Sequence, residues 1–286
     1  MMNVKKIFNK TKNAIVNDKQ LMFGILGIIF LLIVVIFAPT IAGQDPYYFG
    51  PDILNKVGDN GHFLGTNKMG QDVYSMIVYG ARTSLKVAVI SAFISGILGI
   101  VIGGVAGFFG GKVDQIVSEI INIFMMLPTF FLILLIIALF GNSIINVMIV
   151  IGFTTWPSNA KLMRAQALSL RERTFVKAAT AMGETKGQIL FKYIIPNGIF
   201  PVIANTTVGM SNAILTEAGL SFLGLGDPNT ISWGQMIYEG KPYITSAWWV
   251  ATYAGVAIVI TVIIFYLLGD GLNHVLNPKH ITKRGV

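Results

Sequence analysis

Apolar stretches long enough to cross a bilayer recur along this 286-residue chain, and they constrain its fold more than any other feature. The first, residues 21–38, contains no charged residue and runs for about 18 positions. An α-helix rises ~1.5 Å per residue and the hydrocarbon core of a bilayer is ~30 Å thick, so a stretch of that length makes one crossing. Further stretches fall at about 84–108, 116–140, 144–159, 198–225 and 247–268. The reading is an all-α membrane protein with six transmembrane helices. Composition agrees: 12% charged residues against 54% apolar excludes an ordinary soluble domain, where about a quarter of residues are charged.

Six crossings place both ends on one side, and the basic residues say which. Sixteen of the 21 Lys and Arg residues fall in the first twenty residues, around Lys112, in the segment between the fourth and fifth stretches, or in the last eight residues. Positive charge collects on the cytoplasmic side, so both termini are expected there. The formal charge of +8 is thus a topological signal and does not point to nucleic acid. The basic start followed by the first stretch resembles a signal peptide, with Thr40-Ile41-Ala42 as a cleavage site. The stretch exceeds the ~7–15 residues of a signal core, which favours an uncleaved helix. Residues 1–20 form a cytoplasmic basic tail, and 21–83 hold the first helix and an extracytoplasmic loop rich in Gly and Pro. The second helix carries Ser91, Ser95, Gly96, Gly99, Gly103, Gly104 and Gly107, small residues that let helix backbones approach closely. Pro128 interrupts the third.

The longest charged interruption, residues 169–197, reads as two short amphipathic helices, each too short to span. Ser169 and Glu172 are spaced as a capping box for the first, and Gly183 ends it. Thr185 and Gln188 cap the second, and Pro196 stops it. Phe175, Ala179 and Met182 share one face of the first helix; Ile189, Leu190, Tyr193 and Ile194 share one of the second. The pattern alone leaves two partners open, an anionic lipid surface and another protein.

Four motifs, in order along nearly the whole chain, carry a family resemblance. Phe175-Val176-Lys177-Ala178-Ala179-Thr180-Ala181-Met182-Gly183 with Ile194-Ile195-Pro196-Asn197 resembles the EAA motif of permease subunits of bacterial ABC importers, with Lys177 where the family has Glu. His62-Phe63-Leu64-Gly65-Thr66 through Gly70-Gln71-Asp72, running on to Arg82, resembles the outer loop of oligopeptide, dipeptide and nickel permeases of the C-subunit type, which have Gly-Arg-Asp at 70–72. Thr216-Glu217-Ala218-Gly219 through Gly226, then Ser232-Trp233-Gly234, is similar to the same subunits. So is the close Leu268-Gly269-Asp270 to Asn277-Pro278, with Asn273-His274 in place of an Arg-Asp pair.

The resemblance implies a type I ABC importer transmembrane domain over 84–273, a coupling loop at 169–197 and a cytoplasmic tail at 274–286, in a bacterial or archaeal cytoplasmic membrane. It assigns Phe175, Val176, Lys177, Ala178, Ala179, Met182, Gly183, Ile189 and Pro196 to ATPase coupling, and His62, Gly65, Thr66, Gly70, Asp72 and Arg82 to the outer-loop motif. It also implies the partners: a second homologous permease, two ATPase subunits, an extracytoplasmic solute-binding protein and membrane lipid. Peptides are the expected solute, with nickel or a metal chelate as the alternative.

Other features weigh on this expectation. Gly111-Lys112 is followed by Val113 and Gly240-Lys241 by Pro242, so no phosphate-binding Gly-Lys-Ser/Thr loop occurs, and ATP and Mg are expected on the partner ATPases. The chain is therefore expected to be non-catalytic and to hold no cofactor. His62, His274 and His280 are scattered without ligand spacing, and no metal site is expected. Glu217 lies within the fifth stretch, where a charge is costly. It is either a cation or proton site, or a carboxylate at a gate held by backbone amides or a partner chain; no second acid nearby in sequence completes a relay, which favours the latter. An ion-driven secondary transporter would need such a relay, and a mere membrane anchor would not need the outer-loop motif.

Overall fold

The computed structural model describes residues 18–276. Most of the expected basic tail, and residues 277–286 with Lys279, His280, Lys283 and Arg284, lie outside that range. Helix α1 (Lys19–Ile36) starts at Asp18, whose carboxylate accepts the Leu21 N–H at 3.1 Å. Helix α2 (Val73–Phe109) follows the long loop, and α3 (Gly111–Met126) and α4 (Thr129–Phe140) come next. Helix α5 (Ile144–Leu170) leads to the short α6 (Thr174–Ala181) and α7 (Lys186–Gly198). Helix α8 (Phe200–Phe222), the short α9 (Trp233–Gly240) and α10 (Trp248–Leu276) complete the bundle.

Several expected boundaries move, each for a physical reason. Helix α2 begins well before residue 84, because Asp72 caps it at Ser75 N, and its 37 residues exceed one crossing. The third stretch is no single rod: α3 and α4 are bent by 85° where Pro128 holds an extended backbone. The fourth runs on to Leu170, so Ser169 lies inside a helix and the Ser169/Glu172 capping box does not form. Helix α6 starts instead at Arg173, with no side-chain cap. Its helix continues past 169 because Met163 and Ala167 are buried in the cluster that receives α6 and α7.

Nor does Pro196 stop α7. Residues Leu190–Ile194 form a π-turn in which the Ile195 N–H reaches Leu190 O, five residues back. That wider turn accommodates a proline with no N–H to give, and the chain passes on to α8 through a 59° bend.

Among the described residues, three helices are long and apolar enough to cross a membrane, and five crossings result if each bent pair counts as one. The remaining segment of the six expected, α5, fails on composition and not on length. Its 27 residues rise about 40 Å, but Thr154, Thr155, Ser158 and Asn159 make its middle polar.

Helix α5 packs along α2 as its main partner, and α8 along α10 and α2. The small residues of α2 make this approach possible: a Cβ on Gly99 would stand 2.9 Å from the Ala160 backbone nitrogen. Arg164 on α5 grips Asp114 on α3 through both carboxylate oxygens, tying the ends of these helices together. Helix α1 lies outermost, against α10, with most of its surface exposed as lipid contact requires.

Candidate functional site

At one end of the bundle the charged segment folds back on α5. Helix α6 closes with two bonds, Gly183 N to Thr180 O at 3.1 Å and Glu184 N to Ala179 O at 3.2 Å. This is a Schellman ending, and it requires the left-handed backbone that Gly183 adopts at φ +83°. Thr185 and Gln188 then form the expected capping box for α7. The joint between the two helices is therefore defined by hydrogen bonds on both sides. Tyr193 donates to Glu184 Oε1 at 2.7 Å and Lys192 at 3.1 Å, bracing the joint from the second helix. The Tyr193 bond first, and Lys192 after it, hold the Glu184 carboxyl below the usual carboxylate range.

The faces differ from the expected ones on the first helix only. Val176 and Ala179 turn inward, packing with Ile189, Leu190 and Ile194 against Met163, Ala167 and Val202. Phe175 and Met182, expected to share the Ala179 face, instead point outward with Ala178; Met182 is 73% exposed. The inward stripe is thus Val176 and Ala179, spaced i, i+3, and the outward one is also apolar. Lys177, exposed, pairs with Glu172 at 3.5 Å within its own chain. Pro196 is exposed just past the π-turn.

At the opposite end, the loop before α2 is a closed polar clasp. His62 is buried with Nδ1 at 3.0 Å from Asp72 Oδ1, while Asp72 Oδ2 accepts both the Ser75 N–H and its hydroxyl. Thr66 donates to Asp52 O and accepts from Asn55 N, and its own carbonyl receives the Trp249 indole N–H at 3.1 Å. Gly65 and Gly70 both have positive φ; a Cβ on Gly65 would strike Asn55 O and Trp249, and one on Gly70 would strike the Gly50 backbone. Arg82 donates to Val35 O at 2.8 Å and lies over the Tyr79 ring, which fastens α2 to α1. Gln71 is committed too, donating to Pro46 O and accepting from Asn67. The outer-loop residues are brought together, then, but as a scaffold whose polar groups face one another.

Glu217 on α8 is buried and accepts from Ser221 and Ser232 hydroxyls at 2.8 and 2.7 Å. Ser232 also caps α9, so the carboxylate joins α8 to α9; the hydroxyls do what backbone amides were expected to do. Trp233 completes the junction, its indole donating to Ile77 O on α2. Sequence reasoning missed the anchoring roles of Trp233 and Trp249, whose only signal was a lone indole N–H within an apolar setting.

Between these ends lies a cavity of about 380 Å³ whose walls come from α2, α3, α4, α5 and α8. It carries no charge: Ser95, Thr155, Ser158, Asn159, Asn205 and Asn212 face it beside Phe124, Ile151 and Val208, and none of its lining residues is ionisable. Asn159 donates to Ser95 at 3.0 Å and Asn205 donates to Asn159 at 2.8 Å, a chain across three helices. Among the described residues, no cluster of His, Cys, Asp or Glu is arranged to hold a metal ion.

The bundle holds a cavity lined by uncharged polar groups and carries a braced, outward-apolar hairpin at one end, and residues 99–281 match the family described as binding-protein-dependent transport system inner membrane component. The chain belongs to that family. It is similar to the dipeptide transport system permease protein DppC of Alkalihalophilus pseudofirmus, 35% identical over 92% of this chain and 86% of the relative. It is also similar to the oligopeptide transport system permease protein OppC of Bacillus subtilis, 32% identical over 96% of this chain and 92% of that one. In fold it resembles a chain of the inward-facing MetNI methionine ABC transporter, with a TM-score of 0.56 at 22% identity, covering 70% of this chain and 96% of the other. This inner-membrane permease family thus accounts for the helical bundle and for its apolar outer surface.

Proposed function

We propose that this chain is a transmembrane permease subunit of an ATP-driven importer of di- or oligopeptides, paired with a second homologous permease, two ATPase subunits and an extracytoplasmic binding protein. Membership of the permease family supplies the role, and the relatives' peptide names supply the solute class. The observation that carries the solute reading within this structure is the uncharged, amide- and hydroxyl-rich cavity. Peptide bonds bring paired donors and acceptors, which Asn and Ser or Thr groups match, whereas a bare metal cation would meet no carboxylate or imidazole there.

The hairpin of α6 and α7 is the coupling element in this reading, with the exposed Phe175, Ala178 and Met182 presented to the ATPase. Its buried stripe joins it to α5 and α8, two walls of the cavity. ATP binding to the partner subunits supplies the free energy, and it drives transport only insofar as the ATPase contacts differ between two states of this hairpin. The termini and hairpin are cytoplasmic, and the clasp of residues 43–72 is extracytoplasmic. The clasp keeps its shape while the other end moves.

The deciding experiment is reconstitution of the four-subunit complex in proteoliposomes with its binding protein. ATP-dependent uptake of a labelled dipeptide or oligopeptide is expected, and mass spectrometry of the ligand retained by the binding protein identifies the solute. Uptake driven by a proton or sodium gradient without ATP would overturn the reading.

A further inference from the structure

Two cavities approach each other at Asn205. Besides the central one, a smaller cavity of about 230 Å³ is bordered by Leu162, Pro201, Gly269, Asp270 and Asn273, nearer the end that carries the α6–α7 hairpin. Asn205 and Val208 line both cavities. Of these two side chains, Val208 offers only bulk, whereas Asn205 is bonded across to the neighbouring helix.

The bond is an amide on an amide. Asn205 Nδ2 donates to Asn159 Oδ1 at 2.8 Å, and Asn159 is held in turn, since it is 3% exposed and donates to Ser95 Oγ at 3.0 Å. Asn159 is the fixed member and the half-buried Asn205 the movable one. Asn205 also stands six residues past Ile199, where the 59° bend between α7 and α8 falls, so a change in that angle reaches it within about two helical turns.

We propose that Asn205 is the septum between the two cavities and a specificity-determining contact for the solute, which opens the passage by replacing the Asn205 amide on Asn159 Oδ1 with a peptide N–H. Stripping a buried acceptor of its donor is costly, and exchanging one amide donor for another is nearly neutral. A peptide bond therefore lowers the barrier that its own passage meets, while a solute with no N–H or O–H donor does not. The exchange rests on the peptide reading above; the septum does not.

Proteoliposomes of the full complex test both parts. Asn205→Ala is expected to raise ATP-independent efflux of a preloaded labelled dipeptide about tenfold, the worth of roughly one hydrogen bond, and to lower uptake per ATP hydrolysed. Asn205→Gln, which keeps the donor, is expected to restore both. An Asn205→Ala complex that hydrolyses ATP normally and leaks no more than wild type overturns the septum. Because the chain has no cysteine, Asn205→Cys supplies a second measurement by reaction with a thiol reagent. Added dipeptide is expected to protect that thiol, and absence of protection overturns the exchange. If wild-type complex moves no peptide but Asn205→Ala still leaks labelled glycerol, the peptide reading and the exchange fall and the septum stands.

Discussion

The two ends of the molecule solve opposite problems. In the clasp before α2, the key polar groups are spent inside the chain: His62 on Asp72, Thr66 between Asp52 and Asn55, Trp249 on Thr66, Gln71 on Pro46. At the α6–α7 hairpin only the joint is satisfied internally, and Phe175 and Met182 are left in the open with Phe191, which is 61% exposed. The clasp exposes apolar side chains too, Tyr48, Phe49, Ile53 and Phe63 among them, so the ends differ in the polar bonding that ties the clasp to itself and not in apolar exposure. In the coupling reading, the chain thus holds a fixed end and a dependent end.

The sharpest way to break this contrast is Gly70→Ala. Both the positive φ of +72° and the Gly50 backbone oppose a Cβ there, so loss of folded protein in detergent, read by fluorescence-detected size exclusion, is the expected result. Gly58→Ala supplies the control, because φ is +86° but nothing lies within 4 Å of the new Cβ; strain alone, about 1–2 kcal/mol, is expected there. Equal damage at both positions would mean that the clasp is not closely packed.

At the dependent end, Met182→Asp is expected to leave the melting temperature of the isolated permease unchanged. ATPase subunit binding should weaken by about 2 kcal/mol or more, roughly thirtyfold, as for a buried apolar anchor. Intact binding in a pull-down titration would show that the exposed face is not the docking face. Gly183→Val tests the joint itself. The backbone conformation costs about 1–2 kcal/mol or more and a Cβ there meets nothing within 4 Å, so insertion is expected to survive while transported solute per ATP falls. Unchanged coupling in that variant sinks the coupling assignment.

The smallest expected effect is electrostatic. Glu184 is held below its ordinary range by Tyr193 and Lys192, so its contribution is present above the unfolded carboxyl pKa and is lost as pH falls through the lowered folded value. Thermal unfolding of wild type and Glu184→Gln should therefore differ slightly at neutral pH and converge in acid. A difference that grows toward acid would contradict the bonding at the joint.

Much of this was legible in the chain. Apolar length located three of the crossings, Gly183 and the Thr185–Gln188 pair located the joint, and the motifs located the family. What misled was local pattern overruled by packing. Ser169 and Glu172 have the spacing of a cap, yet α5, with Met163 and Ala167 buried on it, runs through Ser169 to Leu170. Phe175 and Met182 have the spacing of a core face, and periodicity cannot say whether an apolar face meets its own chain or another. The Asn159–Asn205 pair left no sequence signal, because its members are 46 residues apart and single asparagines in apolar stretches carry no period.

One feature of α7 gives the hairpin a mechanical character. A π-turn holds one residue more than an α-turn of similar rise, and a one-residue change of register rotates everything beyond it by about 100°. Ordinarily such slack could slip back. Here the reversal is blocked, since Pro196 would then owe a hydrogen bond it cannot make and its ring would meet the carbonyl one turn below. Pro196 thereby works like a pawl on the π-turn, holding the register of α7 as far as the bend that leads into α8.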